Sequence, residues 1–199
     1  LSRNKSISSI TLLHEQSLGI AAEAYAQYKN ELSVVLVTTG PGVTNALTAC
    51  AAAWTDSTPM IFISGQVKTT DSSEGTGLRQ NGFQEVNTID LVKPITKKAI
   101  KIGNAESGKT IFKKLTKLAL EGRPGPVWID IPLDIQNKQI EITNHDYKKE
   151  ISKVEQVFRT YSVSRMHKYI NKKLIKSKRP IILAGNGIRL SSQIEEFKK

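Results

Sequence analysis

A carboxylate and its neighbouring histidine stand where a strand is expected to meet a helix. His14-Glu15 follows the apolar run Ile10–Leu13, which predicts a short strand, and opens a stretch whose apolar spacing predicts a helix to about Tyr28. In open α/β sheets, ligands bind beyond the carboxyl ends of the strands, so Glu15 is well placed for catalysis or binding. A helix N-terminus favours the ionised carboxylate and lowers its pKa unless burial opposes this. From the residues alone, an equally good interpretation is that Glu15 only complements the helix dipole.

Two further segments carry residue types suited to binding. Gly40-Pro41-Gly42 lies at another expected strand-to-helix turn, with Asn45 just inside the helix, and small residues there let a flat ligand approach the backbone. The turn is neither a G-x-G-x-x-G nor a Walker loop, and any tight α/β turn can hold two glycines. Phe83-Gln84-Glu85 ends a long polar loop, so its aromatic ring and amide could line a pocket. An ordinary anchor and helix cap is the alternative for that segment.

The elements that must position these segments alternate between strands and helices. Buried strands are predicted over 33–39, 59–63 and 127–131, and an edge strand over 96–102, where lysines alternate with apolar residues. Helices are predicted over 45–54, 85–92 and 107–120. This order predicts an α/β fold, a doubly wound parallel sheet with helices on both faces.

The character of the chain changes after Pro132. A first domain is predicted over 1–137, a polar, lysine-rich linker over 138–160, and the beginning of a second α/β domain over 161–199. That second domain is expected to have a helix from Ser164, as its N-cap, to Ile175 and a strand over Ile181–Ala184. The chain begins without methionine and stops inside a helical pattern, so we expect it to be a piece of a longer protein.

Charge raises one rival class of function. Lys and Arg number 29 against 18 Asp and Glu, for a formal charge of +11. Several of these cations would give the 164–175 helix and the turn after it a positive face that phosphates could bind. Aromatic residues are only 6% of the chain and no groove-reading motif is present, so solvated lysines are the simpler interpretation.

Cysteine, histidine and hydropathy exclude other classes. Cys50 is the only cysteine, so no disulfide framework is expected and a reducing cytoplasm suits the chain. No run of about 18 apolar residues predicts a membrane span. His145 and His167 lack metal-ligand spacing, so no metal site is predicted on this chain.

Five segments together resemble the thiamine-diphosphate-dependent enzymes, and most closely their acetolactate synthase branch. They are HEQSLGIAAEAYA (14–26), TTGPGVTNALTACAAAWTDSTPMIFISGQV (38–67), FQEVNTIDLVKPITK (83–97), GRPGPVWIDIPLDIQ (122–136) and RPIILAGNG (179–187). The acetolactate synthase branch is favoured because the Phe-Gln-Glu segment and the lysine-proline segment after it occur together. Each motif is modest, but five in this order cover nearly the whole chain.

The resemblance implies a role for each segment. Residues 1–137 would form the pyrimidine-binding domain, without its first strand and helix, and 161–199 the start of the central domain. Glu15 matches the activating glutamate that hydrogen-bonds a ring nitrogen of the aminopyrimidine, and Gly40, Pro41, Gly42 and Asn45 match cofactor-binding residues. Phe83, Gln84 and Lys97 match the substrate pocket, with Gln84 and Glu15 as the catalytic side chains.

The resemblance also implies cofactors, assembly and reaction. The cofactor would be thiamine diphosphate bound at the interface of a homodimer, with a tetramer as the larger alternative, and Mg²⁺ would be held by a C-terminal domain beyond this chain. Flavin adenine dinucleotide is a weaker implication. The implied activity is decarboxylation of pyruvate and carboligation to a second 2-oxo acid, in cytoplasmic branched-chain amino acid biosynthesis. The chain alone is expected to be inactive and to bind the cofactor poorly.

Alternatives stay open at this point. Arg79-Gln80-Asn81-Gly82 departs from what a biosynthetic acetolactate synthase would carry, which leaves the acceptor substrate open. A pyruvate oxidase, a 2-oxo acid decarboxylase or a carboligase with another acceptor would share the same motifs. A regulatory protein that has lost catalysis is disfavoured by the retained Glu15.

Overall fold

The chain forms two compact units, Leu1–Val154 and Glu155–Lys199. The computed structural model describes residues 6–140 and 163–199. Most of the predicted linker, 138–160, therefore lies outside the described residues, and so does His145. The elements that position the candidate site all belong to the first unit.

A parallel four-stranded sheet forms the centre of the first unit. Its strands are β1 (Ser33–Val37), β2 (Met60–Gln66), β3 (Lys98–Lys101) and β4 (Val127–Pro132), in the order β1-β2-β4-β3. Every neighbouring pair is parallel, as the predicted α/β fold requires. The lysine-bearing strand β3 lies at one edge, which confirms its prediction as an edge strand.

Helices connect the strands. They are α1 (Glu15–Lys29), α2 (Pro41–Asp56), α3 (Thr88–Val92), α4 (Ala105–Leu120) and α5 (Leu133–Gln136). Polar side chains fix two of the starts, because His14 Nδ1 accepts a hydrogen bond from Gln16 N at 3.2 Å and Asn104 Oδ1 accepts one from Glu106 N at 3.0 Å. The helices predicted around 15–28, 45–54 and 107–120 are thus confirmed, and the one predicted over 85–92 is shorter.

Two apolar cores show that the sheet is covered on both faces. On one face, buried alanines of α2 pack with Phe62 and Trp128, whose rings stack with centroids 4.9 Å apart. On the other face, Leu115 and Ala119 of α4 pack with Ile61 and Ile129. Side chains alternate between faces along a strand, so β2 and β4 supply both cores. The small residues of α2 therefore fill this chain's own core.

In the second unit the described elements are short apart from one helix. They are α6 (Val163–Lys176), α7 (Gly187–Leu190) and α8 (Ile194–Phe197). Ser164 lies inside α6 rather than before it, so its prediction as the N-cap is wrong.

Two predicted strands are absent from the described residues. Ile10–Leu13 and Ile181–Ala184 form no strand, and their large side chains are exposed. A strand needs a neighbour to satisfy its backbone groups, and within 6–140 and 163–199 neither segment pairs with another strand. Both predictions, made from apolar runs alone, are wrong for this chain.

Candidate functional site

Glu15 lies at the very start of α1 with its carboxylate partly buried and fixed by an amide. Asn45 Nδ2 donates a hydrogen bond to Glu15 Oε2 at 3.0 Å. This bond is the main reason that the pKa of Glu15 is lowered; a backbone N–H adds to it, and burial opposes it. The direction agrees with the expectation from the sequence, and the hydrogen bond from Asn45 on the neighbouring helix is its largest cause. Glu15 is not deep in the core, as a purely structural carboxylate could have been.

Close packing of α1 on α2 brings these two side chains together. Gly19 follows Glu15 by four residues and Ala49 follows Asn45 by four, so each pair shares a helix face. A Cβ added to Gly19 would lie 2.4 Å from Ala49 Cβ, which shows how near the helices approach. The absence of a side chain at Gly19 is therefore what allows Glu15 to reach Asn45.

The Gly40-Pro41-Gly42 turn forms the start of α2. Gly40 is the N-cap with φ +64° and ψ −116°, and Pro41 is the first helical residue, where its missing N–H costs nothing. A Cβ on Gly40 would lie 2.4 Å from the carbonyl oxygen of Gln84, and one on Gly42 would lie 2.9 Å from Thr38 Cγ2. Both positions thus require glycine because other residues of the same chain pack closely against them. Their contact with a cofactor remains a prediction.

The same turn touches the segment predicted to line the substrate pocket. Gln84 is exposed and has φ +56°, a left-handed conformation that is uncommon for a residue other than glycine. Phe83, beside it, is 82% exposed, which is unusual for an aromatic ring that serves only as an anchor. The structure therefore brings Glu15, Asn45, Gly40-Pro41-Gly42 and Gln84 together around the N-terminus of α2.

Lys97 is not brought to this place within one chain. It precedes β3, at the opposite end of the sheet from the α2 N-terminus, and its Nζ donates to Glu121 O at 2.6 Å. Because β3 is parallel to its neighbours, the chain must return to the N-terminal end of the sheet before the strand begins. The geometry within one chain therefore gives no support to the assignment of Lys97 to the substrate pocket.

Sequence reasoning missed a buried polar cluster at the carboxyl ends of β2 and β4. Asp130 is 1% exposed; it accepts hydrogen bonds from Ser64 Oγ and, at 3.0 Å, from Gln66 Nε2. Gln66 Oε1 in turn accepts from Thr39 Oγ1 at 2.9 Å, which ties the residue before Gly40 to the sheet. Burial raises the pKa of Asp130, and the hydrogen bonds oppose that rise. An acidic residue inside the apolar run of 127–131 was the available signal.

Glu85 was also missed as a structural determinant. Its two carboxylate oxygens accept four hydrogen bonds from the preceding polar loop, at 2.7–3.2 Å. The sequence feature that could have indicated this role was an acidic residue close behind a polar loop, whose backbone N–H groups need acceptors.

The described residues show neither a metal-binding cluster nor a membrane-spanning helix. Over 6–140 and 163–199, no group of three or more His, Cys, Asp or Glu side chains is arranged to hold a metal ion. No helix in the described part of the chain has the length and apolar character to cross a membrane.

A parallel sheet with a helix-borne carboxylate beside a glycine turn is the arrangement expected of a thiamine-diphosphate pyrimidine domain. Residues 1–91 match the family model for the N-terminal TPP binding domain of thiamine pyrophosphate enzymes.

More particularly, the chain is similar to acetolactate synthase large subunits. It is 40% identical to the acetolactate synthase large subunit of Buchnera aphidicola subsp. Schizaphis graminum, over 95% of this chain and 32% of the relative. It is 36% identical to the probable acetolactate synthase large subunit of Methanococcus aeolicus, over 94% of this chain and 30% of the relative. It is also 36% identical to the acetolactate synthase isozyme 1 large subunit of Escherichia coli K12, over 94% and 32%. The chain thus spans about a third of the length of these relatives.

Proposed function

We propose that this chain supplies the pyrimidine-side half of the active site in a thiamine-diphosphate-dependent, acetolactate-synthase-like enzyme. The carrying observation is the Glu15 carboxylate, which is partly exposed, kept ionised and held in place by Asn45. The similarity to acetolactate synthase large subunits over nearly all of the chain supports the same assignment.

The residues present fit thiamine diphosphate. An ionised carboxylate is a strong acceptor for an N–H donor, and the Asn45 bond leaves Glu15 with lone pairs for such a donor. When bound, the cofactor supplies the nucleophilic carbon and the electron sink that 2-oxo acid decarboxylation needs. Glu15 would accept the hydrogen bond from the aminopyrimidine ring, and Asn45 would keep the carboxylate oriented toward it.

The proposed reaction joins two 2-oxo acids. The first, pyruvate, loses its carboxylate as carbon dioxide, and its remaining two-carbon unit forms a carbon–carbon bond with the carbonyl carbon of the second. The product is a 2-hydroxy-2-methyl-3-oxo acid. Phe83 and Gln84, exposed beside the Gly40 turn, would line the side of the pocket that receives the acids.

A second copy of the chain, a metal ion and further domains would complete this half-site. A second copy of the chain would complete the site in a homodimer or tetramer, with Mg²⁺ bound by a C-terminal domain and with FAD as an optional group of the central domain. The chain by itself is therefore expected to be inactive and to bind thiamine diphosphate poorly. The whole enzyme is proposed to act in cytoplasmic branched-chain amino acid biosynthesis. Turnover of pyruvate by the purified 199-residue chain with thiamine diphosphate and Mg²⁺ would contradict this part.

A pair of matched variants tests the role of Glu15. Glu15→Gln in the full-length polypeptide that contains this chain should lower acetolactate formation by about 100-fold or more, since the amide is a far weaker base. Glu106→Gln is the control, because Glu106 is likewise acidic in the first turn of a helix, α4, but lies outside the site. Equal losses in the two variants would mean that Glu15 only complements the helix dipole, and the proposal would fail.

Product analysis separates this function from its nearest rivals. Pyruvate with the full-length polypeptide should give acetolactate rather than acetyl phosphate or acetaldehyde. Either of the latter as the main product would favour a pyruvate oxidase or a decarboxylase. A different condensation product would indicate another acceptor.

The basic face of α6 supports nucleic-acid binding as a second candidate. Lys168, Lys172 and Lys173 are all exposed on this helix. If these lysines form only a solvated face, titration of the chain with duplex DNA at physiological salt should show no binding tighter than about 10⁻⁴ to 10⁻⁶ M, the range of non-specific charge attraction. Tighter binding would favour this second candidate.

A further inference from the structure

Gln84 occupies a conformation that needs support from its surroundings. Its φ of +56° belongs to the left-handed region, which costs free energy for a residue with a Cβ. Such conformations persist only where neighbouring structure holds them, and they occur most often at functional sites. Two features flank Gln84 and provide that support.

The first feature is the carboxylate of Glu85. Its Oε1 accepts hydrogen bonds from Ser73 N at 2.7 Å and Ser72 Oγ at 3.1 Å, at the start of the polar segment 72–82, called here the 72–82 loop. Its Oε2 accepts from Asn81 N at 3.0 Å and Gly82 N at 3.2 Å, at the end of that loop. One side chain thus joins both ends of the loop directly before Phe83 and Gln84.

Close packing strengthens this closure. A Cβ on Gly82 would lie 2.5 Å from Val67 Cγ1, so the end of the loop is pressed against the residue that follows β2. The second feature lies on the other side of Gln84, where Gly40 approaches its carbonyl oxygen too closely for any side chain. The backbone of Gln84 is therefore fixed between the closed loop and the start of α2.

We propose that Glu85 is a positioning residue, whose carboxylate closes the 72–82 loop and so holds Phe83 and Gln84 in place beside the Gly40 turn for binding of the 2-oxo acid. This inference rests on the proposed function, because it assumes that Gln84 contacts the substrate. Glu85 itself takes no part in the chemistry: all four of its hydrogen bonds run to the loop.

The ionisation of Glu85 agrees with this role. Burial raises its pKa, but the backbone N–H groups of Asn81, Ser73 and Gly82 and the Ser72 hydroxyl outweigh burial and hold the pKa at about 2. The side chain is thus a full carboxylate at neutral pH, with acceptors only. Glutamine at this position would aim an NH₂ group either at the N–H groups of Asn81 and Gly82 or at the N–H of Ser73 beside the Ser72 hydroxyl. The end of the loop that faces the NH₂ group would then lose its closure.

Amide hydrogen exchange on the 199-residue chain tests the closure without any substrate. In Glu85→Gln, exchange at Asn81 and Gly82 or at Ser73 should accelerate by about tenfold or more, because a charge-assisted pair of bonds is replaced by a repulsive contact. Glu74→Gln is the matched control: Glu74 is in the same loop, but its exposed carboxylate pairs with Lys101 at 3.0 Å and, among the described residues, does not join the two ends of the loop. Unchanged protection in Glu85→Gln, or equal acceleration in both variants, would overturn the proposal.

Steady-state kinetics on the full-length polypeptide tests the positioning. Glu85→Gln should raise KM for pyruvate by about tenfold or more, since misplacement of a contact residue weakens binding. The thiamine diphosphate concentration for half-maximal activity should change by less than about twofold, because Glu15 and Asn45 are untouched. Ser72→Ala, which removes one of the four bonds, should give a smaller rise in KM.

Two results would separate the failure of this inference from the failure of the proposed function. A loop that opens in Glu85→Gln with no change in KM would show that closure does not position the substrate residues. Absence of acetolactate from the wild-type polypeptide would instead count against the proposed function, and the substrate-binding part of this inference would fall with it.

Discussion

Replacing Gly40 with alanine should destabilise the first unit through two separable effects. The combination of φ +64° and ψ −116° lies outside the left-handed helical region and is unfavourable for any residue with a Cβ, at a cost of about 1–3 kcal/mol. The new Cβ would also lie 2.4 Å from Gln84 O and 2.9 Å from Gln84 Cβ, about 1 Å inside ordinary contact. Because one of these atoms belongs to the backbone, it cannot rotate away, and overpacking of this kind costs about 1–3 kcal/mol more.

Gly122 offers a control for the effect of a positive φ. Its φ is +59°, nearly that of Gly40, yet a Cβ there would meet no atom within 4 Å. Gly122→Ala should therefore lower the free energy of unfolding by about 1–2 kcal/mol. The contact between the start of α2 and Gln84 should contribute about 1–3 kcal/mol to the difference between the two variants, and the ψ of −116° at Gly40 adds to that difference.

Urea unfolding followed by tryptophan fluorescence is the direct assay. Both tryptophans, Trp54 and Trp128, lie in the first unit, and Trp128 is fully buried, so the signal reports on that unit. With an m value of about 2 kcal/mol/M, Gly40→Ala should unfold about 0.5–1.5 M urea earlier than Gly122→Ala. Equal midpoints for the two variants would refute the contact between Gly40 and Gln84.

Three further predictions follow from ionisation and burial. Asn45→Ala should raise the pKa of Glu15 toward its ordinary value, which NMR titration would measure. Because the native pKa is lowered, the stabilising effect of the bond is present above the unfolded-state pKa and fades as pH falls. The free energies of unfolding of variant and wild type should therefore converge in acid. For Asp130 the sign is opposite. Because its native pKa is raised, the wild type loses stability as pH rises from the unfolded-state pKa, about 4, to the native pKa. In urea unfolding, Asp130→Asn should therefore gain stability relative to wild type as pH rises above about 4, and a constant difference would contradict this. Burial raises the pKa of Cys50 to about 12. Its thiol should therefore react with an aromatic disulfide reagent at pH 8 only after unfolding. Rapid reaction of the folded chain would instead show that the core around α2 opens.

Local patterns predict elements well where burial on both faces is already visible in the residues. β1, β2 and β4 are β-branched or apolar runs bounded by proline or glycine, and α4 carries a clear helical period. Ile10–Leu13 and Ile181–Ala184 look the same locally but have no neighbouring strand to pair with in the described chain. Strand formation depends on a partner that is distant in sequence, and a run of apolar residues does not report whether that partner is present.

Site residues show the same division between local and distant causes. The position of Glu15 at a helix start follows from its motif, but its bond to Asn45 depends on the contact between Gly19 and Ala49, which are thirty residues apart. Lys97 lies within a recognisable motif, yet the return of the chain to the start of β3 takes it away from the others. Motifs therefore identify which residues to consider, and the crossing of the elements decides which of them meet.

The first turns of α2 couple the two halves of the candidate site. Asn45 fixes Glu15 on one side of the helix, and Gly40, five residues earlier, fixes the backbone of Gln84. A rigid helix transmits a shift of either end to the other, whereas the 72–82 loop can open without moving α2. Changes at Gly19 should therefore disturb mainly the carboxylate, changes at Glu85 mainly the substrate residues, and changes at Gly40 both. The proposed enzyme would thus have cofactor activation and substrate binding supported by one helix start, with Glu85 as the element that acts on substrate binding alone.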